Sequence, residues 1–175
     1  MVIINDYTGY QSMNSATATA NISEQVLELI SHGGSVGSIF DYSETEYEAM
    51  YSLGHSHYSQ ERYLDAAKCF GFLVTNNTQE PRFISAFGCS LQMLKLYHDA
   101  IQYHSLASLL DLEDPLPTFH TAECFVALGM PDEAREALTQ VVLQCQLPRW
   151  QELRQRSEAW LKLLGPRPTA SVSSH

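Results

Sequence analysis

The residues in this chain that could do chemistry are few. His120 and Cys124 stand four apart, one helical turn, as two metal ligands can. A closed zinc site needs third and fourth ligands, and none follows at ligand spacing. Cys69, Cys89, Cys124 and Cys145 are separated by 20, 35 and 21 positions, so no close pair marks a zinc or redox motif, and they read as reduced, buried thiols. His55 and His57 fall on opposite sides of a helix, no Ser or Cys sits in a local nucleophile signature with a base, and no Gly-rich phosphate loop follows a strand. Gly33-Gly34 reads as a helix stop. The reading is of a protein without a catalytic constellation, cofactor or metal. The chemistry that does emerge is recognition: Tyr51, His55 and Tyr58 follow the i, i+4, i+7 rule and form one stripe on a helix. Tyrosine offers a large contact area at low rotamer entropy, and its hydroxyl can orient a partner's backbone. The competing reading is that the same stripe packs on a preceding helix of the chain itself.

The elements that position this stripe are set by a repeat. Ala66, Ala100 and Ala134 lie 34 residues apart, each preceded by an acid (Asp65, Asp99, Glu133), and Gly54, Gly88 and Ala122 recur at the same interval. Larger residues fall in phase with them: Leu53 with Phe87, Met50 with Ile84, Phe70 with Leu138, and His57 with Leu91 and Phe125. Thirty-four is the tetratricopeptide (TPR) period, in which each unit is a pair of antiparallel helices. A small residue on the first helix admits the second, so bulky residues pack above and below that close approach.

The units are expected at about 47–80, 81–114 and 115–148. Pro81 and Pro115 open the second and third where a missing N–H costs nothing, with Asp114 as a cap. Gly129 ends one helix and Pro131 starts the next, and Ser43 and Glu46 have capping-box spacing before the first unit. A further helix is expected at about Ser23–His32, carrying Ile22, Val26, Leu29 and Ile30 on one face. An amphipathic helix at about 149–164, with Trp150, Leu153, Ser157, Trp160, Leu161 and Leu164 in phase, is stopped by Gly165-Pro166. The fold class is therefore all-α: an α-solenoid of three tetratricopeptide repeats with an N-terminal capping helix and a C-terminal amphipathic helix, spanning 22–165. The polar stretches 1–21 and 166–175 are expected to be disordered, for want of apolar surface to bury.

Composition narrows the partner. The chain has 175 residues, 45% hydrophobic, enough for one domain with a core. Its net charge is −10, with 18 of the 20 acidic residues and only half of the ten basic ones before Arg149. An acidic body repels phosphate backbones, so nucleic acid is not an expected partner. No apolar run approaches the length of a membrane-spanning helix and no signal peptide opens the chain, so no stable membrane insertion is expected and the location is read as cytoplasmic. The triplets Asn21-Ile22-Ser23 and Asn76-Asn77-Thr78 are formal glycosylation acceptors with meaning only after export.

In a curved stack of helical pairs the first helix of each unit lines the inner face, which suits an extended peptide or a helix. The inward positions on this phasing are Glu48, Tyr51, His55, Tyr58 and Ser59, then Arg82, Ser85, Cys89, Gln92 and Met93, then Leu116, Phe119, Glu123 and Val126. Tyr63, at the turn of the first unit, is a further candidate.

The segments Met50-Tyr51-Ser52-Leu53-Gly54, Tyr63-Leu64-Asp65-Ala66-Ala67-Lys68-Cys69-Phe70, Glu80-Pro81-Arg82-Phe83, Phe87-Gly88-Cys89-Ser90-Leu91-Gln92 and above all Phe119-His120-Thr121-Ala122-Glu123-Cys124-Phe125, with the Gly33-Gly34-Ser35-Val36 stop, resemble the class II chaperones of bacterial type III secretion. The resemblance covers about 22–164 and implies a bacterial protein. It also implies that an extended N-terminal segment of a hydrophobic translocator protein lies in the groove, kept soluble and secretion-competent before export. The aromatic pockets of the first repeat would then fall at Tyr51, His55, Tyr58 and Tyr63, and a homodimer would form through the N-terminal region. His55 stands where relatives often carry an aromatic residue. Other readings compete. An adaptor for an acidic C-terminal tail needs Lys, Arg and Asn on the inner helices, where Arg82 alone is suitably basic. A chaperone for a needle or regulatory subunit would take an amphipathic helix instead, and an enzyme on this scaffold is a further alternative, since fold does not dictate function.

Overall fold

Each repeat begins where the sequence supplies the missing hydrogen-bond partners of a helix start. The computed structural model describes residues 42–165. Within them run α1 (Glu44–Ser59), α2 (Tyr63–Asn76), α3 (Pro81–Met93), α4 (Tyr97–Leu110), α5 (Leu116–Ala127), α6 (Pro131–Gln144), a short 3₁₀ turn (Pro148–Trp150) and α7 (Gln151–Leu164). Ser43 and Glu46 form the capping box ahead of α1, Pro81 occupies the first turn of α3, and Asp114 Oδ1 accepts from the Leu116 N–H at 2.9 Å. The expected helix at Ser23–His32 and the stretches 1–21 and 166–175 lie outside the described residues.

Helices pack chiefly on their neighbours in sequence, as in a solenoid: α1 on α2, α2 on α3, and so on to α7. The 34-residue anchors are the points of closest approach. Ala66, Ala100 and Ala134 are fully buried. Opposite them the partner positions are Gly54 against Phe70, Gly88 against His104 and Ala122 against Leu138. A Cβ on Gly54 would stand 2.6 Å from the Phe70 ring, and one on Gly88 2.9 Å from the His104 ring, which is why glycine is needed at both. The turns repeat as well. Glu61, Lys95 and Gly129, again 34 apart, all have left-handed φ (60°, 63° and 73°), and the third turn alone uses the residue that adopts it without strain.

Three apolar clusters follow the stack. Ala66, Phe70, Leu73, Phe83 and Ala86 fill the first, Leu91, Ala100 and Cys124 the second, and Phe119, Ala122, Leu138, Val141, Cys145 and Leu153 the third. Trp150, Trp160, Leu161 and Leu164 close the last cluster. Arg135 on α6 reaches across to donate to the carbonyls of Gly165 (3.0 Å) and Leu164 (3.2 Å), fastening the end of α7.

Candidate functional site

A cavity of about 530 Å³ opens on the inner face, lined by side chains of all three repeats. From α1 come Tyr51, His55 and Tyr58, from α3 Arg82, Ser85 and Cys89, and from α5 Leu116, Pro117 and His120. Phe70 and Ala107, from the outer helices α2 and α4, reach through to its floor. The i, i+4, i+7 stripe thus does face the groove, and its rings are braced from behind: Tyr51 meets Phe70 and Phe83 at centroid distances of 5.7 and 5.3 Å, and His55 meets Tyr51 at 4.5 Å and Phe70 at 5.3 Å. Tyr51 and Tyr58 are half-buried, with neither ring sealed in the core. Burial pushes the Tyr51 hydroxyl up and lifts Tyr58 to about 12, with nearby Cys89 adding to both, so each phenol stays protonated and able to donate.

At the rim, Arg82 bonds Glu80 Oε1 at 3.0 Å and Glu48 Oε1 at 2.8 Å, and lies 5.4 Å from the Tyr51 ring centre. These bonds to carboxylates hold its guanidinium charged more firmly than usual. Arg82 is the one Lys or Arg among the lining residues, alongside the acids Glu80, Asp111 and Asp114. The groove is therefore aromatic at its centre and acidic at its edge.

The remaining candidates sit elsewhere. Tyr63 rests edge-on against Tyr58 at 5.3 Å, beside the cavity. Phe119 is a correction to the inward reading: it is 1% exposed, packed in the third cluster, with the Arg156 guanidinium 4.6 Å above its ring. Gln92 and Glu123 lie behind the lining, in a polar network. Gln92 Nε2 donates to Glu123 Oε2 at 3.1 Å, and Arg156 donates to Glu123 Oε1 at 2.9 Å. The His120 Nδ1 lies 3.0 Å from Glu123 Oε2. Behind it the fully buried His104 stacks on His120 at 5.2 Å, with Nε2 3.3 Å from Gln92 Oε1. Since that oxygen only accepts, His104 carries its proton on Nε2, leaving Nδ1 buried without a partner.

Environment drives the two stacked rings apart. Burial, then the neighbouring charge on His120, pulls His104 down to about 3. Burial also opposes charge on His120, but the influence of neighbouring Cys89 and Glu123, the latter hydrogen-bonded to the ring, outweighs it and raises the ring to about 10. Glu123 is likewise lowered despite its burial, by its bonds to His120 and Gln92 and by the charges of His120 and Arg156. Phe70, Ala107, Asp111 and Asp114 were not foreseen as lining. Among the described residues no group of three or more His, Cys, Asp or Glu is placed to hold a metal, and His120 engages Glu123.

Comparison with known proteins places this geometry. A tetratricopeptide-repeat family model matches residues 81–114. The low calcium response locus protein H of Yersinia pseudotuberculosis is 29% identical over 133 residues, 75% of this chain and 79% of that protein. Among solved structures, the type III secretion chaperone SycD of Yersinia enterocolitica, in complex with a peptide of the translocator YopD, is 29% identical with a TM-score of 0.68, over 71% of this chain and 95% of that one. PcrH, known from Pseudomonas aeruginosa, in complex with the chaperone-binding region of PopB, is 31% identical with a TM-score of 0.67, over 69% of this chain and 98% of PcrH. With its repeats, its helices and its sequence in agreement over nearly the whole of PcrH, the chain belongs to the family of type III secretion translocator chaperones.

Proposed function

We propose that this protein holds a translocator of its own type III secretion system, with an extended segment of the client lying in the groove across Tyr51, His55 and Tyr58. The observation that carries the reading is the braced aromatic stripe facing a cavity to which all three repeats contribute. Removing apolar client surface from water is worth about 25 cal/mol per Å². A translocator's membrane-seeking segments would otherwise aggregate or insert early. Tyr51 and Tyr58 offer rings for packing and hydroxyls for the client backbone, while Arg82, Ser85 and Cys89 line the second repeat's share of the track. The acidic rim, with its one arginine already paired to Glu48 and Glu80, is poorly suited to gripping an acidic tail, which disfavours the adaptor reading.

The relatives are chaperones, and the proposed work is likewise binding rather than catalysis. The bacterial cytoplasm is the place where a client would need such protection, and no described helix is long and apolar enough to cross a membrane. SycD is described as forming an alternative dimer, and self-association is proposed here too.

The test is co-expression with each translocator of the same secretion system, followed by pull-down. Tyr51→Ala combined with Tyr58→Ala is expected to abolish capture with the helical circular-dichroism spectrum intact. Undiminished capture by that folded variant would remove the groove assignment.

A further inference from the structure

The groove cavity supplies hydrogen-bond donors unevenly along its length. The share lined by α1 and α3 offers the hydroxyls of Tyr51, Tyr58 and Ser85. In the share lined by α4, α5 and the loop between them, Ala107, Leu116 and Pro117 carry no polar side chain, and Asp111 and Asp114, as carboxylates, only accept. His120 is therefore the one side-chain donor among the lining residues there. Its ring is fixed from several sides. Nδ1 lies 3.0 Å from Glu123 Oε2, Gln92 and Arg156 donate to the same carboxylate from α3 and α7, and His104 stacks against the ring at 5.2 Å. A carboxylate oxygen only accepts, so the proton of that bond sits on Nδ1. The other ring nitrogen, Nε2, makes no hydrogen bond within the described residues, and the side chain is 28% exposed where it lines the cavity.

We propose that His120 is a specificity-determining residue of the groove, an imidazolium whose Nε2–H donates to a main-chain carbonyl of the client segment. This rests on the groove reading of the proposed function. An extended chain makes no hydrogen bonds within itself, so each carbonyl it buries needs a donor from outside. A helix pairs its carbonyls internally, so a lone donor on this stretch favours an extended occupant over a helical one. Glu123 is the positioning residue: by holding Nδ1–H it turns Nε2 to the open side, and its negative charge keeps the second proton on the ring. With one proton the ring would present a bare Nε2, an acceptor facing an acceptor, so donation needs the charged form. The titratable and charged groups that face the ring are Cys89 from α3, His104 from α4, Glu123 on α5 itself and, through Glu123, Arg156 from α7. Burial opposes charge on the ring, but Cys89 and Glu123 outweigh it and raise it to about 10, so the donor persists at neutral pH and is lost as pH rises through that value.

The experiment measures, by fluorescence anisotropy, the binding of short fluorescein-labelled peptides tiled along a translocator of the same secretion system to the full chain. His120→Phe keeps a ring against His104 but offers no donor, and it is expected to weaken the tightest peptide on the order of tenfold. His120→Gln brings an amide N–H to the place of Nε2–H and should recover most of that loss. Between pH 8 and 10.5 the parent's affinity should fall about fourfold as the ring gives up its second proton, while that of His120→Gln stays level. Circular dichroism at each pH checks that the fold persists. A folded His120→Phe that binds as tightly as the parent, or an alkaline loss in His120→Gln equal to the parent's, overturns the proposal. The second comparison decides alone if the phenylalanine variant does not fold. Binding that survives Tyr51→Ala combined with Tyr58→Ala strikes the groove reading instead, and a parent that binds none of the peptides strikes that reading and this proposal together.

Discussion

The seam between the first and second hairpins and the seam between the second and third are built on one plan with different materials. In the first, Phe70 fills the slot over Gly54 and joins Tyr51, His55 and Phe83 in a set of edge-on and tilted rings. In the second, the equivalent slot over Gly88 holds His104, stacked on His120 and tied through Gln92 to Glu123 and Arg156. The third hairpin returns to an apolar residue, Leu138. The repeat dictates where a large side chain must go, because helix spacing leaves one gap per unit. It leaves open whether the filler is apolar or titratable. A hydrocarbon seam responds to volume, and an imidazole seam also responds to protons.

The largest effect expected from this contrast is at the apolar seam. Phe70→Ala should cost about 3–5 kcal/mol of folding stability, read by urea denaturation, since the ring is buried and braces Tyr51 and His55. A loss below 1 kcal/mol would mean that the ring is not a structural filler.

At the polar seam the signature is pH. His104 binds its proton near pH 3 in the fold and near 6.5 when unfolded, so the unfolded chain holds the extra proton in between. Stability should therefore fall as pH drops below 6.5, by up to about 1.4 kcal/mol per pH unit. His120, raised to about 10, works the other way: its contribution is complete below pH 6.5 and is lost as pH rises toward 10. Thermal melts between pH 4 and 10 should give a maximum near 6.5. His104→Leu, which imports the third hairpin's residue type, should flatten the acid limb and spare the alkaline one. An acid limb as steep in His104→Leu as in the parent would break the comparison.

The smallest effect concerns the turns. Lys95 holds a left-handed conformation at the position where the third repeat has Gly129. Lys95→Gly should gain about 0.5–1 kcal/mol by removing that strain, less the entropy of a freer unfolded chain. A loss of stability would show that Lys95 is held by more than its backbone.

Much of this was legible before any coordinates, and the parts that were not share a cause. Spacing of 34 located the helical pairs, and Ser43, Pro81 and Gly129 marked ends that the backbone honours. The stripe of Tyr51, His55 and Tyr58 was readable because its i, i+4, i+7 spacing sets the three on one face of α1. On α5 that logic breaks down: Pro117, Phe119, Thr121, Ala122 and Cys124 are all buried, so a helix packed on several sides gives periodicity no contrast to report. Phe119 therefore reads as inward when it is core. Gln92 and Glu123 meet across 31 positions and Arg156 and Glu123 across 33, and no local pattern announces such a pairing. Phe70 and Ala107 line the cavity from the outer helices, Phe70 with its ring over Gly54, and no local pattern marks an outer-helix residue as lining.

Arg135's hold on the last carbonyls of α7 has a bearing on how the stack ends. A row of identical units has no intrinsic terminus, and whatever surface binds the next hairpin can bind another molecule's hairpin just as well. By pinning Leu164 and Gly165, Arg135 keeps Trp160, Leu161 and Leu164 seated over the third cluster, covering the face on which a further hairpin would stack.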